Sequence, residues 1–332
     1  MTPRTPLLID CDTGIDDALA LLYACASPEA DLRAVTCAPG NAGLADVVRN
    51  TRAVLELAGR ADVEVAPGRD RPLVRALRTA PETHGPTGLG YAELPEPSPA
   101  PGGRAAADII IETARAQPGE ITLVTLGPLT NVALAVLREP ALPRLVHQLV
   151  MMVGSYRTPG NTAPTTEWNA AVDPEALAIV LDSWAGHDDT AQPRAPLPWA
   201  LGLDVTERAK MTPAHLERLA ARAGGQDEPV VRFVRDALRF YFEFHSRYDG
   251  FYGAFIHDAL ALAVALDPSI ARREAVTVEV ELAGRLTGGE TVTDWRRAWG
   301  RPANLDIVVE ADIEAFFGHF IERVGALAGG AA

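Results

Sequence analysis

Short apolar runs alternate with longer stretches of helical spacing along this chain, and that alternation constrains the fold more than any other feature. Leu7–Ile9, Leu32–Cys37, Val63–Ala66, Ile121–Leu126 and Leu149–Val153 have the length and apolar content of strands. Ala18–Ala26, Ala45–Ala58, Ala105–Ala116, Thr130–Leu137 and Pro174–Leu181 read as helices between and after them. Strands separated by helices of this length predict an α/β protein: an open, mostly parallel, doubly wound sheet flanked by helices. Further on, Val230–Tyr248 reads as a long aromatic-bearing helix and Leu260–Leu266 as a buried one. Val276–Leu282 reads as an alternating strand and Ile313–Leu327 as a closing helix. Pro95–Gly103 and His187–Pro198, rich in Pro, Gly and Ala, read as surface loops, because the pattern resumes after each. With no internal repeat, a single domain over residues 1–332 is expected.

Composition excludes several function classes. Apolar residues make up 48% and charged residues 22%, enough for a sizeable core. The formal net charge is −14 without any basic run, which argues against a nucleic-acid partner and against an anionic membrane surface. Lys210 is the only lysine, so there is no phosphate-binding G-x-x-x-x-G-K-[ST] loop and no supply of Schiff-base lysines. Cys11, Cys25 and Cys37 lack C-x-x-C spacing and imply neither a disulfide framework nor a zinc site. Free thiols, an N-terminus without a signal-peptide pattern and no apolar run near the ~20 residues of a membrane span predict a cytoplasmic protein.

The densest chemistry lies in Asp10-Cys11-Asp12-Thr13-Gly14-Ile15-Asp16-Asp17, directly after the first apolar run. Asp10 and Asp12 share a strand face because the side-chain period is two. Gly14 permits a sharp turn, and Asp16 and Asp17 then fall in the first helical turn, where the dipole favours negative charge. That preference accounts for one or two acids, not four. Crowded carboxylates raise one another's pKa unless a cation compensates, and an all-oxygen donor set favours Ca²⁺ or Mg²⁺ over zinc. In a doubly wound sheet the strand-to-helix junction is also where ligands bind.

Two later segments add polar groups. His257-Asp258 opens an apolar helix. Asp258 either caps that helix or completes a metal site begun by Asp12 and Asp17, and His257 is either a core imidazole or a proton donor to a leaving group. Gly160-Asn161-Thr162 and Glu167-Trp168-Asn169 place amides and a carboxylate beside one aromatic, which suits a hydroxyl-rich ligand. Asn131 reads as helix-start chemistry. Phe240, Tyr241, Phe244, Tyr248, Phe251 and Tyr252 precede His257 and are either core or base-stacking groups.

Taken in order, Asp10-x-Asp12-x-Gly14-x-Asp16-Asp17, Gly40-Asn41, His84-Gly85, Leu126-Gly127-Pro128-Leu129-Thr130-Asn131, Glu167-Trp168-Asn169 and His257-Asp258 resemble the inosine–uridine-preferring nucleoside hydrolases. Thr291-Val292-Thr293-Asp294 is similar to that family's closing strand region, so the resemblance covers nearly the whole chain. It implies an open, mostly parallel α/β sheet and hydrolysis of the N-glycosidic bond of ribonucleosides to ribose and free base. Carried over, it implies Ca²⁺ held by Asp12, Asp17, Asp258 and the backbone carbonyl of Leu126, with two ribose hydroxyls completing the shell. Asp12 would act as base on a calcium-bound water, and Asp10 would support the metal from behind. Asp16, Asn41, Asn161, Glu167 and Asn169 would bind ribose hydroxyls, Met152 would line the pocket, and His84 and Trp168 would lie on the substrate side. His257 would help the base leave. The resemblance further implies a homodimer or homotetramer. This chain departs from the common motif at Thr13, Leu126 and Ala259, none of which removes a proposed catalytic group.

Two other readings compete. Asp10-x-Asp12-Thr13 after a strand also resembles the nucleophile motif of haloacid-dehalogenase-type phosphatases, with Mg²⁺ in place of Ca²⁺. That reading lacks a suitable lysine and leaves Asp16, Asp17, Glu167 and His257 without roles. The third reading is a catalytically silent nucleoside- or ribose-binding protein.

Overall fold

A computed structural model describes residues 4–98, 103–185 and 195–330. The strands are β1 (Thr5–Cys11), β2 (Ala30–Cys37), β3 (Glu64–Pro67), β4 (Thr122–Thr125), β5 (Gln148–Met152) and β6 (Trp199–Leu201), followed by β7 (Lys210–Met211), β8 (Ala254–Phe255), β9 (Ala271–Val276), β10 (Val278–Val280), β11 (Thr291–Thr293) and β12 (Leu305–Ala311). Eight of them form one sheet in the order β3-β2-β1-β4-β5-β6-β12-β9. Every pairing in it is parallel except β12 with β9. The expected open, mostly parallel sheet is therefore present, and its one antiparallel strand is at an edge.

The central strands are apolar on both faces because helices cover both. On β1, Leu7, Ile9 and Cys11 point into one core and Leu8 into the other. On β5, Val150 and Met152 belong to the first core, Leu149 and Met151 to the second. The first core is closed by helices Ile15–Ala26, Pro229–Tyr248, His257–Leu266 and Ile313–Ala328. The second is closed by Ala106–Ala116, Thr130–Arg138 and Pro174–Trp184. Each fully buried Leu, Ile or Val contributes about 1.5–3 kcal/mol. Helix His257–Leu266 is buried on nearly every side, which explains its uninterrupted run of Ala, Leu and Val. It packs against helix Ile15–Ala26.

Chain order reverses between β1 and β4: β2 and β3 extend the sheet one way, β4 and β5 the other. The carboxyl ends of these strands border the crevice where doubly wound sheets bind ligands.

One reading of a strand needs correction. Val276–Leu282 is not one strand. The chain leaves the main sheet at Thr277, whose hydroxyl donates to the carbonyls of Arg301 and Pro302. β9 ends there, and β10 pairs instead with β11 in a separate two-stranded sheet. Strands β6 and β12, not singled out above, complete the main sheet. The loop at His187–Pro198 lies mostly outside the described residues, and Pro95–Gly103 does so in part. Among the described residues no helix is long and apolar enough to cross a membrane.

Candidate active site

A cavity of ≈ 510 Å³ opens above the carboxyl ends of β1, β2, β4 and β5. Asp16 and Asp258 line it, each from the first turn of its own helix, and the packing of those two helices brings their N-termini together. Asp16, Asp17 and Asp258 each offer a carboxylate oxygen within 4.8 Å of the others. Asp12 joins this trio through shared partners. The backbone N–H of Asp12 donates to Asp17 Oδ1 (3.2 Å), and Asn41 donates from its backbone to Asp12 Oδ2 (2.7 Å) and from its side chain to Asp17 Oδ2 (3.0 Å). Gly14 N–H also donates to Asp17 Oδ2 (2.9 Å), closing the turn.

All four carboxylates are buried, and this is electrostatically costly. Burial first, then the charge of Asp17, pushes Asp16 up to about 8. Burial followed by neighbouring aspartates drives Asp12 and Asp258 well above the carboxylate range, and burial raises Asp17. Among the described residues no Arg or Lys forms an ion pair with any of them. Asp12 Oδ1 is buried without a hydrogen-bond partner. Buried, crowded oxygens with a bare acceptor fit a hard divalent cation, which would offset the repulsion.

Glycines make room for Asp12. A Cβ on Gly40 would lie 2.2 Å from Asp12 Oδ2, and one on Gly127 2.6 Å from Oδ1. Asp10 sits behind the site. Its Oδ1 accepts from Thr36 Oγ1 (2.5 Å) and from Asn131 Nδ2 (2.9 Å), and burial raises its pKa to about 7. Asn131 also donates to the Cys37 carbonyl (3.0 Å), so it ties β1, β2 and the helix after β4 together rather than merely starting that helix. Asp10 is thus held behind the site by Thr36 and Asn131, and the phosphatase reading still leaves Asp16, Asp17, Glu167 and His257 without roles.

The opposite wall comes from the loop after β5. Glu167 accepts from the backbone N–H groups of Gly154 (2.9 Å), Asn169 (2.7 Å) and Ala170 (3.0 Å), which fix its carboxylate at a helix N-terminus. Asn169 Nδ2 donates to the carbonyls of Leu126 (2.7 Å) and Met152 (3.0 Å), leaving its own Oδ1 for a ligand. Asn161 Oδ1 accepts from the Trp168 backbone (2.9 Å). Asn41, Leu126, Met152, Asn161, Glu167, Trp168 and Asn169 all line the cavity.

The rest of the wall is aromatic and imidazole. His84 Nδ1 accepts from Ile15 N–H (3.1 Å), and burial depresses its pKa to about 3. His257 is likewise depressed to about 3 by burial, and its Nδ1 lies 2.8 Å from Thr206 Oγ1. Of the aromatic stretch, Tyr241, Phe244 and Tyr248 reach the cavity, whereas Phe240 packs on Tyr91 and Phe251 on His245. Every site residue expected from the sequence is thus in or directly behind one cavity. Sequence reasoning missed Arg78, Glu82, Glu207, His245 and Asp249, which also line it and belong to no local motif.

Fold and cavity together define a doubly wound α/β protein with an acidic, metal-compatible pocket facing a wall of amide, carboxylate and aromatic groups. Residues 7–318 match the family model described as inosine-uridine preferring nucleoside hydrolase. The chain is 39% identical to the pyrimidine-specific ribonucleoside hydrolase RihA of Enterobacter sp. (strain 638), over 96% of this chain and 97% of that protein. It is 36% identical to the inosine-uridine preferring nucleoside hydrolase of Crithidia fasciculata, over 96% and 98%. The solved purine-preferring ribonucleoside hydrolase from Gardnerella vaginalis superposes with a TM-score of 0.88 at 28% identity, over 98% of this chain and 99% of that one. The chain belongs to the inosine–uridine-preferring nucleoside hydrolase family and is a ribonucleoside hydrolase.

Proposed function

We propose that this enzyme hydrolyses the N-glycosidic bond of ribonucleosides with Ca²⁺ held by Asp12, Asp17, Asp258 and the Leu126 carbonyl. The observation that carries this reading is the group of four buried carboxylates to which, among the described residues, no cationic side chain is paired. Ca²⁺ would orient two ribose hydroxyls and lower the pKa of a water. Asp12 takes the proton from the attacking water, for which its unpartnered Oδ1 is the acceptor. Asp16, Asn41, Asn161, Glu167 and Asn169 hold the ribose, and Met152 and Trp168 border it. As the base departs, positive charge builds on the ribose, and the ring of carboxylates stabilises it. His84 lies beside the base. His257 assists departure of the base, its ring oriented by the contact of Nδ1 with Thr206 Oγ1 (2.8 Å), a hydroxyl that also donates to the Gly202 carbonyl (3.2 Å).

The same reading makes the enzyme a single-domain cytoplasmic protein, consistent with its free cysteines, and a homodimer or homotetramer. Ribose release from inosine, adenosine, uridine and cytidine by chelator-stripped protein tests it. Release should require added Ca²⁺, and Asp12→Ala should lower kcat by roughly 10³-fold or more. Saturable nucleoside binding with no ribose formed by calcium-loaded protein would instead indicate a binding-only protein.

A further inference from the structure

Besides Glu82 and the backbone-held Glu167, the acidic groups lining the cavity fall into two sets. Asp16 and Asp258 belong to the cluster at the strand ends, where each acts on the other and on Asp17. Glu207 and Asp249 form a second set, in which the strongest charges acting on Glu207 are Asp249, Asp204 and Lys210. Glu207 follows the short helix Leu203–Thr206, next in sequence to the residue bonded to His257. Among the described residues nothing hydrogen-bonds its carboxylate. Burial, then the charges of Asp249 and Asp204, pushes it up to about 7, and only Lys210 pulls it down.

Asp249 closes the long helix Pro229–Tyr248 and holds His245, one turn back. Its Oδ2 lies 2.7 Å from His245 Nδ1. A carboxylate can only accept, so Nδ1 carries the proton and Nε2 of the neutral ring is an acceptor. That Nε2 is buried and has no partner. The ring is fixed by Tyr241 (4.6 Å), Phe255 (4.8 Å) and Phe251 (5.5 Å between centroids). Above about pH 7, where Glu207 is ionised, this part of the cavity thus combines aromatic faces with three acceptors: Glu207, Asp249 and His245 Nε2. With the ribose at the strand ends, the base has to occupy it.

We propose that Glu207 and the His245–Asp249 pair read the nucleobase and select bases that present an amino group, so that cytidine is preferred over uridine and adenosine over inosine. This inference rests on the ribonucleoside reading above. A carbonyl turned toward these acceptors meets lone pairs on both sides, whereas an exocyclic amine satisfies them. The ligand class is an amino-substituted ribonucleoside, and a ribonucleoside with a cationic base satisfies the same wall.

The test is kcat/KM for each matched pair, with 4-nitrophenyl riboside as a substrate whose leaving group carries no amine. Wild-type enzyme should favour cytidine over uridine by about tenfold. Glu207→Gln, whose amide can also donate to a carbonyl, should lower that ratio about tenfold and lower aryl riboside hydrolysis far less. His245→Gln should shift the ratio in the same direction. A wild-type preference for uridine, or a ratio changed by less than twofold in both variants, overturns the proposal. Equal losses on cytidine and on the aryl riboside overturn it too, because they place Glu207 in the chemistry rather than in base selection. Failure of calcium-loaded wild-type enzyme to cleave even the aryl riboside defeats the ribonucleoside reading itself, and this inference with it.

Discussion

The two ends of the cavity are built on opposite principles. At the strand ends Asp12, Asp16, Asp17 and Asp258 are buried, held by backbone N–H groups and given room by Gly40 and Gly127. At the other end Tyr248 is 60% exposed and Asp249 lies at the surface, both at or just past the end of a helix. The first end is over-determined, as chemistry requires when a displacement of about 1 Å can cost a hundredfold in rate. The second end can vary without disturbing the first, which lets one scaffold accept different bases.

That contrast predicts a gradient of mutational effects. After the roughly 10³-fold loss expected of Asp12→Ala, the next largest is expected from Gly40→Ala, which touches no substrate. Its Cβ would fall 2.2 Å from Asp12 Oδ2 and 3.0 Å from Pro128 Cγ. Because Asp12 has nowhere to retreat, kcat/KM should drop roughly 10- to 100-fold, as for other supporting residues of metal sites. Steady-state kinetics showing less than a twofold loss would mean that the carboxylate end is more compliant than its packing indicates. The smallest is expected from Tyr248→Ala at the exposed rim: KM should rise roughly two- to fivefold with less change in kcat, the signature of lost uniform binding. A larger loss in kcat there would show that the rim participates in chemistry and would dissolve the contrast.

The same division explains what the sequence disclosed. Asp10 to Asp17 was legible because all four acids are local: one strand, one turn and one helix start place them. The central strands β1, β4 and β5 were legible for a related reason, since burial on both faces makes a strand a nearly continuous apolar run. β6 has only three residues and leaves little pattern to read. Asn131 looked like a helix-start residue because its partners, Asp10 and the Cys37 carbonyl, become neighbours only through the strand order. Glu207 and His245 were invisible for the same physical reason. Each lies on a helix or at its end with ordinary surroundings in sequence, and only tertiary packing brings both to one cavity.

The central claim is that the buried carboxylates hold one Ca²⁺, and isothermal titration of chelator-stripped protein measures this without relying on turnover. One Ca²⁺ per chain is predicted for the wild type, with affinity reduced at least about tenfold in Asp258→Ala. Absence of calcium binding in folded wild-type protein, or binding unaltered in Asp258→Ala, would contradict the account.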